Sequence, residues 1–289
     1  MRKIDLESLQ FFKSVVDSGS ITLAARQLSR VQSNVTTRIK NLEERLGIKL
    51  FSRHGNRMTL TADGELLKGY AERLLRLATE AETAMLARTP QGTLKLGTLE
   101  STAAARLPPV LSQFHKNYPE VMIELVTGST SKLLDMVLRY EVDAALISDP
   151  FQPQGLDSHP VFSEELVLIA PTTVANALSP DYLRNCTVIA FSTGCSYRRI
   201  LEEWLISVDV TPNRVLEFAS YHAIVACVAA GTGIGIMPKS ILKAVFAEPQ
   251  LQIIPLPSKY ANVRTHLVWQ KDNYSTVVKA FRNHFSNGL

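Results

Sequence analysis

Gln32, Ser33, Thr36 and Thr37 gather one amide and three hydroxyls at the start of a stretch with helical periodicity. Within it Val35, Ile39, Leu42 and Leu46 recur at spacings of four, three and four, so they share one buried face. Gln32, Ser33, Thr36, Thr37 and Lys40 fall on the other side. Short hydrogen-bonding side chains at the N-terminal end of such a helix fit between base edges in a DNA major groove. Gln32 is the foremost candidate for reading a base, because its amide offers a donor and an acceptor together. Arg38 in the helix and Arg53 beyond it suit phosphate contact. Simple solvation is the competing explanation for Arg38 and Lys40.

A second chemistry lies further on. Glu100–Ser101–Thr102, Gly128–Ser129–Thr130 and Ser192–Thr193–Gly194–Cys195–Ser196 each follow an apolar strand-like run and enter a helical one. In open α/β sheets ligands bind beyond the carboxyl ends of strands, and helix N-termini favour anions. Ser101, Thr102, Ser129, Thr130, Thr193 and Ser196 are therefore candidate contacts to a polar, anionic small molecule. Helix capping alone accounts for the same hydroxyls equally well. Arg198 suits a ligand carboxylate or a pair with Glu202 four residues on; Ser220 and Tyr221 are weaker candidates.

Catalysis finds no footing. No Walker loop, hydrolase elbow or paired-carboxylate site is present, and the segment GTGIG (231–235) runs from helix to strand, the reverse of a dinucleotide fingerprint. It reads as a tight turn. Three cysteines without a CxxC pair or ligand-like histidine spacing argue against zinc and a disulfide scaffold. No metal and no cofactor are expected.

The elements that must position these groups follow from the pattern. Leu6, Leu9, Phe12, Val15 and Val16 make a helical stripe ending at Gly19, and Ser20 caps a short helix, Ile21 to Ser29, whose Ala24 and Ala25 permit close packing. The reading helix, Gln32 to Leu46, stops at Gly47. Residues 48–60 form a two-stranded wing turning at His54–Gly55–Asn56, flanked by Arg53 and Arg57. Thr61 caps a long helix from Ala62 to about Arg88, on which Leu67, Ala71, Leu74, Ala78, Ala81 and Met85 form a near-heptad seam for a partner copy. Thr89–Pro90–Gln91–Gly92 has a hinge composition. From Thr93 onward strands and helices alternate in two series, predicting open, mostly parallel sheets in two α/β lobes with a cleft between them. Charge divides likewise: the chain is +4 overall, but residues 1–60 carry 11 Lys/Arg against 5 Asp/Glu. A basic head on a mildly acidic body fits phosphate binding by the head. The charged start, MRKIDLESLQ, and the lack of any transmembrane-length apolar run lead to the expectation of a cytoplasmic protein that does not enter membranes.

Over essentially its whole length the chain resembles the LysR-type transcriptional regulators. The N-terminal pattern LxxFxxVVxxGSxTxAAxxL, the run VQSNVTxxIxxLExxLGxxLFxR and LTxxG at 60–64 carry the likeness, joined by LPPVLSQFHKNYPEV (107–121), EVDAALI (141–147) and VAAGTGIGIMP (228–238). Ser33, Asn34 and Thr36 depart from the commoner residues there, which bears on the bases favoured. The resemblance implies a winged helix-turn-helix (1–60), a linker dimerisation helix (61–89) and a two-lobed, periplasmic-binding-protein-like α/β effector domain (90–289). Lobe I would span about 92–161 and 266–289, lobe II about 162–265. It further implies a homotetramer built as a dimer of dimers, dyad promoter DNA, a co-inducer between the lobes, and action on RNA polymerase. An alternative keeps the DNA-binding head but senses redox state. Cys195 stands at a predicted helix N-terminus near Arg198 and Arg199, a setting that lowers thiol pKa, and peroxide-sensing relatives use cysteines in this lobe.

Overall fold

Asp5 begins the first helix, α1 (Leu6–Ser18), by accepting the Ser8 amide at 2.8 Å. That amide, with the Arg45 guanidinium at 2.8 Å, holds the Asp5 carboxyl down at about 2. The computed structural model describes residues 3–54, 57–86, 89–152, 154–245 and 250–286, with the side chains of 53, 54, 57, 84, 86 and 286 outside that description. The expected turn at Gly55–Asn56, the end of the linker helix at Arg88, and Phe246, the last residue of a helix that the sequence predicts over 240–246, lie outside the described residues.

The chain divides into two compact units, Met1–Arg88 and Thr89–Leu289. In the first, α1 is followed by α2 (Ile21–Gln27), α3 (Gln32–Leu46), the hairpin β1 (Phe51–His54) and β2 (Arg57–Leu60), and α4 (Ala62–Leu86). Ser20 caps α2 as expected, and Thr61 opens α4, its hydroxyl accepting the Gly64 amide at 3.0 Å. Leu9, Phe12 and Val15 of α1 meet Ala24 and Ala25 of α2, Val35, Ile39 and Leu42 of α3, and Leu67 and Ala71 of α4 in one core. Gly64 is forced by proximity, since a Cβ there would stand 2.2 Å from the Leu50 carbonyl oxygen.

The turn between α2 and α3 closes as a Schellman motif, with the Arg30 amide donating to Ala25 O (2.9 Å) and the Ser29 amide to Arg26 O (3.1 Å). Ser29 occupies its left-handed position at φ 52°. A side chain there costs about 1–2 kcal/mol, so Ser29→Gly is expected to stabilise this unit by about 1 kcal/mol. A raised urea midpoint at unchanged slope would register it; an unchanged or lowered midpoint would contradict the strain argument.

The seam expected on α4 is divided. Leu67 and Ala71 are consumed by this unit's own core, while the exposed apolar row is Leu66, Tyr70, Leu74, Leu77 and Met85.

The second unit runs β3 (Gly92–Thr98), α5 (Glu100–Ala105), α6 (Leu107–Asn117), β4 (Val121–Thr127), α7 (Thr130–Leu138), β5 (Ala144–Ser148), β6 (Leu156–Pro171) and α8 (Pro180–Asn185). It continues through β7 (Thr187–Ala190), α9 (Ser196–Ser207), β8 (Arg214–Glu217), α10 (Tyr221–Ala229), β9 (Gly233–Pro238) and α11 (Lys239–Ala244), then β10 (Leu251–Pro255), α12 (Ser258–Ala261), β11 (Asn262–Gln270) and α13 (Thr276–Ser286). Strand order is β4-β3-β5-β11-β6-β9-β7-β8, with β10 beside β6.

The expectation of mostly parallel sheets needs correction. β4, β3 and β5 are parallel, as are β9, β7 and β8, but β11 is antiparallel to β5 and β6, and β6 is antiparallel to β9 and β10. β6 is also longer than the apolar run ELVLIAP (165–171) predicts. Its first half pairs β11 in one lobe and its second half pairs β9 and β10 in the other, so β6 belongs to both sheets. In lobe I, Ala144 and Leu146 face α6 and α13 across one core, while Ala145 and Ile147 pack with α7 on the opposite face, the two-residue alternation of a strand covered on both sides. No helix among the described residues is long and apolar enough to cross a membrane.

Candidate functional site

Two sites emerge, one in each unit. In the first, Gln32, Ser33, Asn34 and Thr37 are exposed at the start of α3, as the sequence pattern requires. Thr36 is half-buried and its hydroxyl donates to Gln32 O at 2.9 Å, leaving lone pairs but no free proton for a ligand. Arg38 is already engaged, pairing with Glu7 at 3.1 Å and standing 5.8 Å from the centre of the Phe11 ring. A feature the residue pattern did not show is the helix start itself. Val31 is the N-cap, is 69% exposed and supplies no side-chain cap bond, and the Asn34 amide turns back to Val31 O at 3.0 Å, so the Gln32 and Ser33 amides remain free for an anion. Arg53 pairs with Met58, and Arg57 with His54, across the wing; where the two arginine side chains reach lies outside the described residues.

Glu43 holds reading helix and wing together. Its buried carboxylate accepts the Leu50 amide at 2.9 Å, the Phe51 amide at 3.3 Å and the Lys49 ammonium at 2.7 Å. The start of β1 is thereby tied to the last turns of α3.

In the second unit a cavity of about 400 Å³ opens between the lobes. One wall comes from the ends of β3 and β4, the other from the segment after β7 and the start of α10. Ser101, Ser129, Thr130 and Ser196 line it as expected. Ser196 Oγ donates to Ser148 O (3.0 Å) and lies 2.9 Å from Thr130 Oγ1, joining the lobes. The remaining candidates are not brought to it. Thr102 is buried away from the lining, Thr193 is exposed, and Ser220 is the N-cap of α10 while its neighbours Ala219 and Tyr221 form the wall. Arg198 is committed to structure: it donates to Glu202 (2.8 Å), Phe191 O (3.1 Å) and Glu217. The Glu202 pairing was legible at i+4; Glu217 arrives on β8, which local spacing does not reveal.

Sequence reasoning missed Glu100, Lys132, Phe191 and Tyr197 as lining residues. A carboxylate placed directly at a strand-to-helix junction was the available signal for Glu100. Burial pushes the Glu100 carboxyl up, opposed by a hydrogen bond from the Tyr221 amide. It also pushes the Tyr197 and Tyr221 hydroxyls well up, so both stay protonated.

The expected thiol environment at Cys195 is overturned. Burial raises its pKa, outweighing the nearby Tyr197 and Arg198 amides and the Arg198 charge, and that charge is already neutralised by two carboxylates. All three cysteines are free, and no metal-holding cluster occurs among the described residues.

An uncapped reading helix beside a wing, together with a separate two-lobed body enclosing a polar cavity, defines a DNA-binding protein with its own small-molecule sensor. Residues 6–65 match the model for bacterial regulatory helix-turn-helix proteins of the lysR family, and residues 87–289 match the LysR substrate binding domain. A relative from Bacillus subtilis (strain 168), the uncharacterized HTH-type transcriptional regulator YusT, is 40% identical over 282 residues, covering 96% of this chain and 94% of that protein. Full-length OxyR from Pseudomonas aeruginosa, solved as a point variant, superposes with a TM-score of 0.73 at 20% identity, covering 99% of this chain and 95% of that one. Full-length CbnR complexed with its target DNA gives 0.68 at 21% identity, covering 98% and 99%. At such identities these two show a shared fold. The chain belongs to the LysR-type transcriptional regulators and is a DNA-binding regulator with an effector-binding domain, not an enzyme.

Proposed function

We propose that the N-terminal face of α3 reads dyad promoter DNA in the major groove, with Gln32 as the base-reading residue and Ser33 and Thr37 beside it. The free amides that open α3 hold a phosphate, with Arg53 and Arg57 on the wing adding phosphate or minor-groove contacts. Arg38 acts through its pairing with Glu7, which sets the reading helix against α1. Residues 1–60 serve as the DNA-binding domain, 61–89 as the dimerisation helix and 90–289 as the effector domain, with lobes at about 92–161 plus 266–289 and 162–265. The exposed row Leu66, Tyr70, Leu74 and Leu77 is the seam on which copies pair, since an apolar stripe of this extent calls for a partner. A dimer of dimers acts in the cytoplasm and alters the access of RNA polymerase when a small co-inducer enters the cavity.

The observation that carries this reading is the cavity itself: it takes walls from both lobes, so a ligand there shifts the equilibrium between lobe arrangements. A cavity near the lower end of the usual 300–1,000 Å³ range suits one small metabolite. The half-buried thiol of Cys195, its pKa raised by desolvation, supports ligand sensing over redox sensing.

Gln32→Ala is expected to weaken binding to the operator by about tenfold or more while leaving random DNA nearly unaffected. Parallel titrations on both DNAs at one salt concentration measure this, and equal loss on the two would remove Gln32 as a base reader.

A further inference from the structure

The cavity lining carries side chains of both signs, which constrains what fills it. Glu100 reaches from lobe I toward α10: Oε1 accepts the Tyr221 amide at 3.4 Å, while Oε2 is buried without any hydrogen-bond partner. Cys195 leaves the N-terminus of the 12-residue helix α9 without a side-chain cap, and the lining Lys132 forms no ion pair among the described residues. Glu100 and Lys132 do not pair with each other. Ser101 and Tyr197, in the same lining, are 4% and 3% exposed, and their hydroxyl oxygens are buried without a hydrogen-bond partner. Buried polar atoms in folded proteins find partners in protein, ordered water or a bound group.

Resting on the reading of this cavity as the sensor site, we infer that its effector is an amino acid. The ammonium group donates to Glu100, and the carboxylate sits against the start of α9 and Lys132. A simple carboxylic acid answers only Lys132 and the start of α9 and leaves Glu100 Oε2 buried with nothing to donate to it. A simple amine leaves Lys132 and the helix dipole unanswered.

The test is calorimetric titration of the full-length protein with each of the twenty common L-amino acids, the matching acids lacking the amino group, and the matching amines lacking the carboxylate. At least one amino acid should saturate the protein with an affinity about tenfold or more above both of its analogues, the discrimination that a hydrogen bond to a charged group supplies. Glu100→Gln should remove most of that advantage by weakening the amino acid alone, and Glu100→Asp should retain part of it. Silence from all twenty amino acids, equal binding of the des-amino acid, or a preference untouched by Glu100→Gln each overturns the inference. Ala219→Trp, which fills the cavity, separates the two levels of failure. If a des-amino acid binds and this variant abolishes it, the cavity remains the sensor and only the amino-acid assignment falls. If binding survives the filled cavity, the sensor lies elsewhere.

Discussion

Glu43→Ala will destabilise the N-terminal unit by about 3 kcal/mol, the cost of leaving the buried Leu50 and Phe51 amides without acceptors. Glu43 is 8% exposed, and among the described residues its carboxylate is the acceptor that these two amides have, beside the buried Leu50 and Phe51. Glu43→Gln separates the contributions. Its carbonyl oxygen can keep both amides, and only the Lys49 pair is lost, whose ammonium side chain is 74% exposed and contributes roughly 0.5 kcal/mol. The measurement is selective, because both tryptophans, Trp204 and Trp269, lie in the second unit. Helical circular dichroism should show an early transition in Glu43→Ala while tryptophan emission melts at the unaltered temperature. Binding to operator and to random DNA should then fail together as that early transition is crossed, since wing and reading helix lose their common anchor. A wild-type melting profile would show that Glu43 holds nothing.

This residue also marks how far the sequence alone could be read. The 4-3-4 spacing of Val35, Ile39, Leu42 and Leu46 placed one face of α3 against the core, and the caps Ser20 and Thr61 and the stop at Gly47 fell where their chemistry requires. Glu43 sits between two of those apolar positions, and local spacing gives no sign of its burial, which comes from a strand that folds back seven residues later. The α4 seam is shifted in part for a related reason. Periodicity identifies an apolar stripe but not its occupant, and the stripe's first two members were already taken by α1 and its neighbours. In the effector domain the hydroxyls at strand ends were legible because the topology of open sheets gathers strand ends in one place. Of the two partners open to Arg198, Glu202 was legible at i+4, whereas Glu217 was not, because it is supplied by another strand 19 residues away in sequence. The first half of β6 was invisible as a strand. LDSHPVFSE does not alternate, and it contains Pro160, a residue that interrupts a ladder. Pro160 is tolerated because it lies at the register shift opposite Thr265 and His266, where the irregular pairing spares the amide that proline lacks.

Gly233→Ala will damage the sensor unit most. The segment GTGIG lies in the turn from α10 into β9, and its glycines do different work. Gly231 takes φ +89°, the left-handed region that a side chain disfavours, while Gly233 has ordinary backbone angles but no room. A Cβ at Gly233 would stand 1.9 Å from the Thr187 carbonyl oxygen and 2.8 Å from its carbon. Those atoms are backbone in the parallel partner strand β7, whose Thr187 is registered against Gly233, so no rotamer can relieve the clash. The strands must separate, at a cost at or above the ~3 kcal/mol upper end of ordinary overpacking. β7 leads directly into Ser192–Ser196, one wall of the cavity, so the distortion carries from the ladder to the ligand site. Trp204 belongs to the core cluster that includes Ile234 and Ile189, and its emission should report an early transition while the N-terminal unit keeps its own helical melt. The two substitutions thus form a crossed pair: Glu43→Ala lowers the stability of the head and spares the sensor, and Gly233→Ala does the reverse. Gly233→Ala protein should still bind operator DNA below its transition but lose saturable effector binding. Retention of a wild-type tryptophan melt would mean that the β7–β9 ladder tolerates a side chain its spacing excludes, and the account of the GTGIG turn as a packing device would have to be abandoned.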